Sequence, residues 1–184
     1  LIDKFNFPTD LISKWVYLPK DKKCMSKAKV VNFATQLSNS QNLLFLDDDN
    51  YFISKNSIDN LIRLFDSYDF IVGQIKDNNN RKRKYNSNRV QGTTIGLKKY
   101  IFNSINGFGE WTEEFSCGID SDLWIKLYKF YQNQKFNACY TDVISTYDSY
   151  SKRWGRYTKF FGDIKLKKTF NNLYGCKNYR SNRY

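Results

Sequence analysis

Leu43-Leu44-Phe45-Leu46-Asp47-Asp48-Asp49-Asn50 is an apolar run that stops in three consecutive carboxylates. Four apolar residues in a row, preceded by Gln41 and Asn42, predict a short strand buried on both faces. Isolated carboxylates are costly to bury, so the aspartates belong at the strand's carboxyl end, where the chain leaves the sheet. In open α/β sheets, ligands bind in the crevice at that edge. Closely spaced carboxylates on a rigid strand end suit a hard divalent cation, which takes oxygen ligands and shares phosphate oxygens with a substrate. The same residues also read as a solvated acidic turn that caps the following helix. The run alone leaves both readings open.

Working outward, Val30, Phe33, Ala34 and Leu37 fall at i, i+3, i+4 and i+7, which predicts a helix from Ser26 that Ser38, Asn39 and Ser40 close. Trp15-Val16-Tyr17-Leu18 reads as a strand ended by Pro19, after a turn at Pro8-Thr9-Asp10. Strand, helix, strand in that order is the unit of a parallel sheet. Beyond Asn50, Ile58, Leu61, Ile62 and Phe65 predict the buried stripe of a helix over 57–65. Strands are expected over 70–72 and 90–97, with a polar, basic, mobile loop over 76–89 between them. A short helix over 98–105 and a turn at Asn106-Gly107 follow.

A second acidic stretch runs from Gly107-Phe108-Gly109-Glu110-Trp111 to Gly118-Ile119-Asp120-Ser121-Asp122-Leu123-Trp124. Trp124, Leu127, Tyr128 and Tyr131 repeat at helical spacing, so Asp120, Ser121 and Asp122 stand at a helix start. Capping and complementarity to the helix dipole explain acids there without any function. A strand over 136–141 is expected next. Trp154, Tyr157, Phe160, Phe161, Phe170 and Tyr174 then alternate with basic residues. Such aromatic density predicts helical segments docked on the body.

At 184 residues the chain is expected to form one domain, and 41% hydrophobic with 18% aromatic residues exclude general disorder. No stretch approaches the roughly 18 apolar residues of a membrane span, and no signal peptide is visible. The absence of histidine excludes histidine-based zinc sites, Ser-His-Asp triads and Cys-His dyads. Cys24, Cys117, Cys139 and Cys176 lack Cys-x-x-Cys spacing and read as reduced, semi-buried thiols. The net charge of +12 is uneven: residues 151–184 carry +9, and residues 1–150 carry +3, much of it in Arg81-Lys82-Arg83-Lys84 and Arg89. That placement suggests an anionic partner at the periphery of a site, with a solvated basic face as the alternative.

The two acidic stretches in this order resemble the GT-A glycosyltransferases that use nucleotide sugars, most similarly family 2. Residues 27–50 resemble that family's Lys/Asn-bearing helix leading into a strand that ends in Asp-x-Asp, filled here by Asp47-Asp48-Asp49. Residues 90–110 resemble its acceptor-side strand, helix and Gly-Phe-Asp-Glu turn, and residues 118–127 its Glu-Asp-x-Asp-Leu helix start. The resemblance implies an α/β, GT-A-like (Rossmann-type), mostly parallel sheet flanked by helices. It implies an inverting, metal-assisted hexosyl transfer from a nucleotide sugar, UDP-linked by preference, to a glycan, lipid or protein acceptor. Asp120 would be the catalytic base. Asp49 would ligate Mn²⁺ or Mg²⁺, and Asp47 would touch the ribose or a metal-bound water. Lys27, Asn32 and Asp48 would join Asp47 around the nucleotide sugar, with Glu110, Trp111 and Asp122 on the acceptor side.

This chain departs from the pattern at Ile119, where the family usually has Glu, and at Gly109, where it usually has Asp. It also lacks the histidine that many members supply as a further metal ligand, for which Asp148 is the candidate substitute. The first strand and base-binding loop of such folds are not recognisable, and Leu1-Ile2-Asp3 is placed at the end of the second strand. Either the nucleotide pocket is incomplete or the domain is shortened.

The resulting expectation is a GT-A-like catalytic domain over 1–150 and a basic, aromatic extension packed on it over 151–184. The chain would be cytoplasmic, with peripheral contact to an anionic membrane through that extension and no nucleic-acid partner. A catalytically silent GT-A-like domain that binds an acidic partner is the competing reading. A metal-dependent nucleotidyltransferase also uses paired aspartates but needs a Gly-rich phosphate loop, which is not found.

Overall fold

The computed structural model describes residues 27–77, 81–83, 91–115, 118–148 and 156–175, with the backbone alone for 156–163. Expectations for Leu1 to Asp3, the turn at Pro8, the strand over 15–18, the loop residues 78–80 and 84–89, and Cys24, Cys117 and Cys176 lie outside those residues. In chain order the elements are helix α1 (Lys27–Leu37), strands β1 (Asn42–Phe45) and β2 (Asn50–Phe52), helix α2 (Ser57–Leu64), and strands β3 (Phe70–Lys76) and β4 (Ile95–Lys98). Helix α3 (Lys99–Ser104), a 3-10 turn (Glu110–Phe115), helix α4 (Ile119–Asn133), strand β5 (Ala138–Asp148) and helix α5 (Arg156–Tyr174) complete them.

The sheet order is β1-β4-β3-β5-β2. It corrects the expectation of a mostly parallel sheet. Among the described residues only β3 and β5 pair in parallel; β1 with β4, β4 with β3, and β2 with β5 are antiparallel. The cause is β4, which inserts between β1 and β3 and runs against both.

Side-chain alternation builds a core on each face of the sheet. Leu43 and Phe45 of β1, Phe70 and Val72 of β3, and Ile95 and Leu97 of β4 face one cluster, with Ile101, Phe102, Phe108, Leu123 and Leu127. Ile71 and Ile144 face the other, with Leu61 and Phe65 from α2 and Leu44 packed against it. At about 25 cal/mol per Å² of apolar surface removed from water, this two-sided burial is the main force aligning the sheet. β1 ends at Phe45, one residue earlier than expected, and Leu46 is exposed.

Two helical stripes differ from their periodicity. In α1 the buried residues are Ala28 and Thr35, with Val31 packed on the core, while Val30, Phe33 and Ala34 are exposed. Asn32 fixes this rotation, because its amide bonds to both backbone groups of Phe108. In α2, Leu61 and Phe65 are buried whereas Ile58 and Ile62 are exposed. The turn at Asn106-Gly107 stands as expected, with φ of 56° and 59°, values that Asn and Gly tolerate best. β5 extends seven residues beyond the expected end at Thr141.

The candidate active site

β1 delivers Asp47, Asp48 and Asp49 to a turn in which the Asn50 amide donates to the Asp47 carbonyl at 3.1 Å. Asp48 is exposed, and Asp47 and Asp49 are half-buried. The Asp47 amide donates to the Thr93 hydroxyl oxygen at 2.8 Å, and its carboxylate pairs with the Lys27 ammonium at the start of α1. Lys27 also donates to the Gly92 carbonyl at 3.1 Å.

Gly92 joins the two acidic stretches. A methyl group at its Cα would stand 1.9 Å from Asp120 Oδ1, so Asp120 lies directly against this residue. Asp47, Lys27, Thr93, Gly92 and Asp120 are therefore linked as successive neighbours at the end of β1. The 91–94 segment is firmly held. Gln91 Nε2 donates to the carbonyls of Gly73 and Thr93, and the Trp124 indole donates to the Gln91 carbonyl at 2.8 Å. Thr94 is buried with φ of 56°, an unusual backbone state for a β-branched residue.

A buried polar chain runs from Thr94 toward Asp49. The Thr94 and Thr146 hydroxyls lie 2.7 Å apart, Thr146 donates to Asn50 Oδ1 at 3.4 Å, and Asn50 Nδ2 donates to Asp49 at 2.9 Å. The β2–β5 register sets Asp148 opposite Asn50, and the Arg83 guanidinium pairs with Asp148. Among the described residues, no group of three acidic or cysteine side chains is close enough to hold a metal ion.

The acceptor-side residues divide into two groups. Asn32 Nδ2 donates to Glu110 Oε1 at 3.1 Å, and both line a polar cavity of about 300 Å³ with Thr35, Gln36, Asn103 and Asn106. Asp122 is fully buried and accepts from the Gly109 amide at 2.6 Å, the Trp111 indole at 2.7 Å and the Tyr174 hydroxyl, while Lys126 pairs with it at 2.9 Å. This explains glycine at position 109: a Cβ there would stand 2.4 Å from Asp122 Oδ1 and from the Trp111 indole nitrogen. α4 starts at Gly118 with no side-chain cap, so Asp120 is not the capping residue, although its place in the first turn suits the helix dipole.

Leu166 and Phe170 of α5 are buried with Ile125, and Trp111, Phe115 and Tyr174 pack on them. Sequence reasoning missed Gly92, Thr93, Arg83 and Tyr174, whose roles come from pairings distant in the chain. The one advance signal was Gln91-Gly92-Thr93-Thr94, where a glycine interrupts a stretch read as strand. Burial, and secondarily the Asp122 charge, raise the Tyr174 pKa well above its ordinary 10.0. A raised folded-state pKa means that this stabilisation is complete below about pH 10 and is lost as pH rises beyond it. Tyr174→Phe should therefore cost about 1.5–3 kcal/mol at pH 8 and flatten the alkaline branch of stability. Thermal melts between pH 8 and 11 check this, and an unaltered alkaline branch would refute the assignment.

No family model and no curated protein sequence matches the chain. Among solved structures it is similar to residues 1–349 of S. aureus TarS in complex with UDP, with a TM-score of 0.52 and 12% identity. The fold is glycosyltransferase-like. The match covers 82% of this chain but 52% of that TarS chain, so this chain spans about half the length of the structure it resembles. At that identity the likeness concerns the fold alone. No helix of the described residues is long and apolar enough to cross a membrane.

Proposed function

We propose that this chain carries the nucleotide-sugar site and catalytic base of an inverting glycosyltransferase of the family 2 type. The observation that supports this best is the convergence of Asp47 and Asp120 on Gly92, from two separate acidic stretches. UDP as the donor's nucleotide is carried over from the TarS complex. Asp47, with Lys27, faces the nucleotide. Asp120 accepts the proton of the acceptor hydroxyl as that oxygen bonds to the sugar's anomeric carbon and the bond to the diphosphate breaks. The start of α4 is a place where the helix dipole favours a negative charge, and a base needs a carboxylate within reach of the hydroxyl proton.

A hard cation such as Mn²⁺ or Mg²⁺ is held through one or two carboxylates together with substrate phosphates; Asp49 and Asp47 would supply those carboxylates, and Asp148 does not gather with them into a three-acid group. When bound, such an ion neutralises charge on the diphosphate leaving group. Asn32 positions the turn that carries Glu110, and the amide-lined cavity beside it suits the hydroxyls of a glycan acceptor, whose other candidates are a lipid or a protein. The acceptor-side roles of Trp111 and Asp122 are indirect in this reading, since both are engaged in holding the turn. Peripheral contact of the basic 151–184 segment with an anionic membrane belongs to the same proposal, supported by its net charge of +9.

Calorimetric titration of UDP in the presence of Mn²⁺ is expected to show saturable binding. Asp49→Ala should weaken it by at least about tenfold, since even residues that support metal ligands commonly cost that much. Failure of every nucleoside diphosphate to bind, or unchanged binding by the variant, would remove the reading.

A further inference from the structure

The first turn of α4 carries Asp120, yet the chain gives that turn no local anchor. Gly118, just before it, has φ of 92° and makes no side-chain cap. Glycine enters this backbone state at little cost and leaves it as easily. An uncapped helix start on a glycine depends on tertiary contacts for its direction. One such contact is the Asp122 carboxylate with its four donors. The other is α5.

Leu166, Phe170 and Tyr174 are spaced by four, so they form one stripe over about 12 Å of α5. Leu166 and Phe170 are fully buried with Ile125 of α4. Leu166 lies on Gly118: a methyl group there would stand 2.7 Å from Leu166 Cδ1 and 3.1 Å from Cδ2. The Tyr174 hydroxyl donates to Asp122. Lys129 donates to the Tyr174 carbonyl at 3.2 Å, and its ammonium stands 5.2 Å from the ring centre. Phe170 also meets Trp111, whose indole donates to Asp122. α5 therefore holds α4 two residues before Asp120, two residues after it, and again at Lys129.

We infer that α5 is a clamp on the first turn of α4, and that Leu166 and Tyr174 are positioning residues for Asp120. The inference rests on the glycosyltransferase reading and deepens it, because the C-terminal helix then governs the proton-transfer step. Asp120 lies against Gly92, so a tilt of the first turn shifts its carboxylate relative to that neighbour. A shift of about 1 Å at a reacting group can cost about 10²-fold in rate. The nucleotide side is held separately. The bonds of Asp47, Lys27 and Thr93 run among the end of β1, α1 and the 91–94 segment. Loosening α5 should thus slow turnover and spare nucleotide binding.

The measurement is UDP release from UDP-glucose or UDP-N-acetylglucosamine with Mn²⁺, counted per UDP-binding site so that unfolded molecules do not enter. Leu166→Ala, which empties the space over Gly118, should lower kcat by about 10–10²-fold and leave KM and UDP affinity within about twofold. Leu166→Met nearly conserves volume and should keep most of the rate. Tyr174→Phe should lower kcat by less, and it carries the same comparison if Leu166→Ala binds no UDP. The double substitution separates positioning from general loosening. Once the base is gone nothing is left to position, so Leu166→Ala should add less than about twofold to the loss in Asp120→Asn. Wild-type kcat in Leu166→Ala and Tyr174→Phe, a parallel fall in UDP affinity, or a factor that multiplies in full onto Asp120→Asn would overturn the inference and leave the transferase reading standing. Wild-type turnover in Asp120→Asn, or no turnover of either donor by the unaltered chain, would overturn both.

Discussion

Asp120→Asn is expected to cut sugar transfer by about 10²–10⁴-fold, the usual contribution of a general base, while leaving the melting temperature nearly unchanged. The substitution keeps size and shape and removes only the charge and the capacity to take a proton. Stability should survive because α4 starts at Gly118, so no cap is lost. The remaining cost is the favourable interaction of a carboxylate with the helix dipole, about 0.3–1 kcal/mol. UDP binding should also persist, since Asp120 is assigned to the acceptor hydroxyl. Gly92→Ala gives an independent approach, because its methyl group would occupy the position of the carboxylate. Transfer rates and melts on both variants decide the matter, and wild-type turnover in Asp120→Asn would exclude this residue from the chemistry.

Two residues along, the same chemical change should have a quite different effect. Asp122→Asn is expected to destabilise the chain by about 3–5 kcal/mol, the range for breaking a fully buried, paired charge. Its two oxygens receive four donors: Gly109, Trp111, Tyr174 and Lys126. An asparagine presents one oxygen and an NH₂ group, so donors would face donors and the Lys126 ammonium would lose its counter-charge. For a chain of this size, such a loss lowers the melting temperature by roughly 6–20 °C. Urea unfolding measures it directly, and a loss below about 1 kcal/mol would show that the four-donor network is not what holds α5 and the turn at Gly109. Asp120 and Asp122 thus separate: one change affects turnover, the other folding.

Local pattern was legible in the sequence, whereas distant pairing was not. The apolar run before Asp47 gave β1 and its acid-bearing end, because burial on both faces leaves a continuous signature. The sheet's directions were misread because strand–helix–strand order does not reveal that β4 inserts between β1 and β3. α1 was found, but its buried face was not. The periodicity of Val30, Phe33, Ala34 and Leu37 was real, yet Asn32 bonding to Phe108 sets the rotation, and a polar anchor is invisible to a hydrophobic count. β5 was cut short because its middle is half-exposed and polar. In the site, Asp47 and Asp120 were visible as residue types in sequence. Gly92, which brings them together, and Arg83 on Asp148 follow only from three-dimensional proximity.

The place of β5 has a consequence for how this chain reaches its final form. It pairs with β3 on one side and with β2 on the other, and the Asn50–Asp148 pairing joins residues far apart in the chain. Contacts of that separation form late, after local helices, because closing long loops precedes any gain from pairing. Until β5 enters the sheet, β2 lacks the one strand it pairs with among the described residues, and Asp148 does not stand opposite Asn50. Collapsed species without β5 would lack the Asn50–Asp148 pairing beside the acidic turn. Nucleotide binding would then report the closed sheet and not collapse alone, making ligand-dependent fluorescence a clock for the last step of folding.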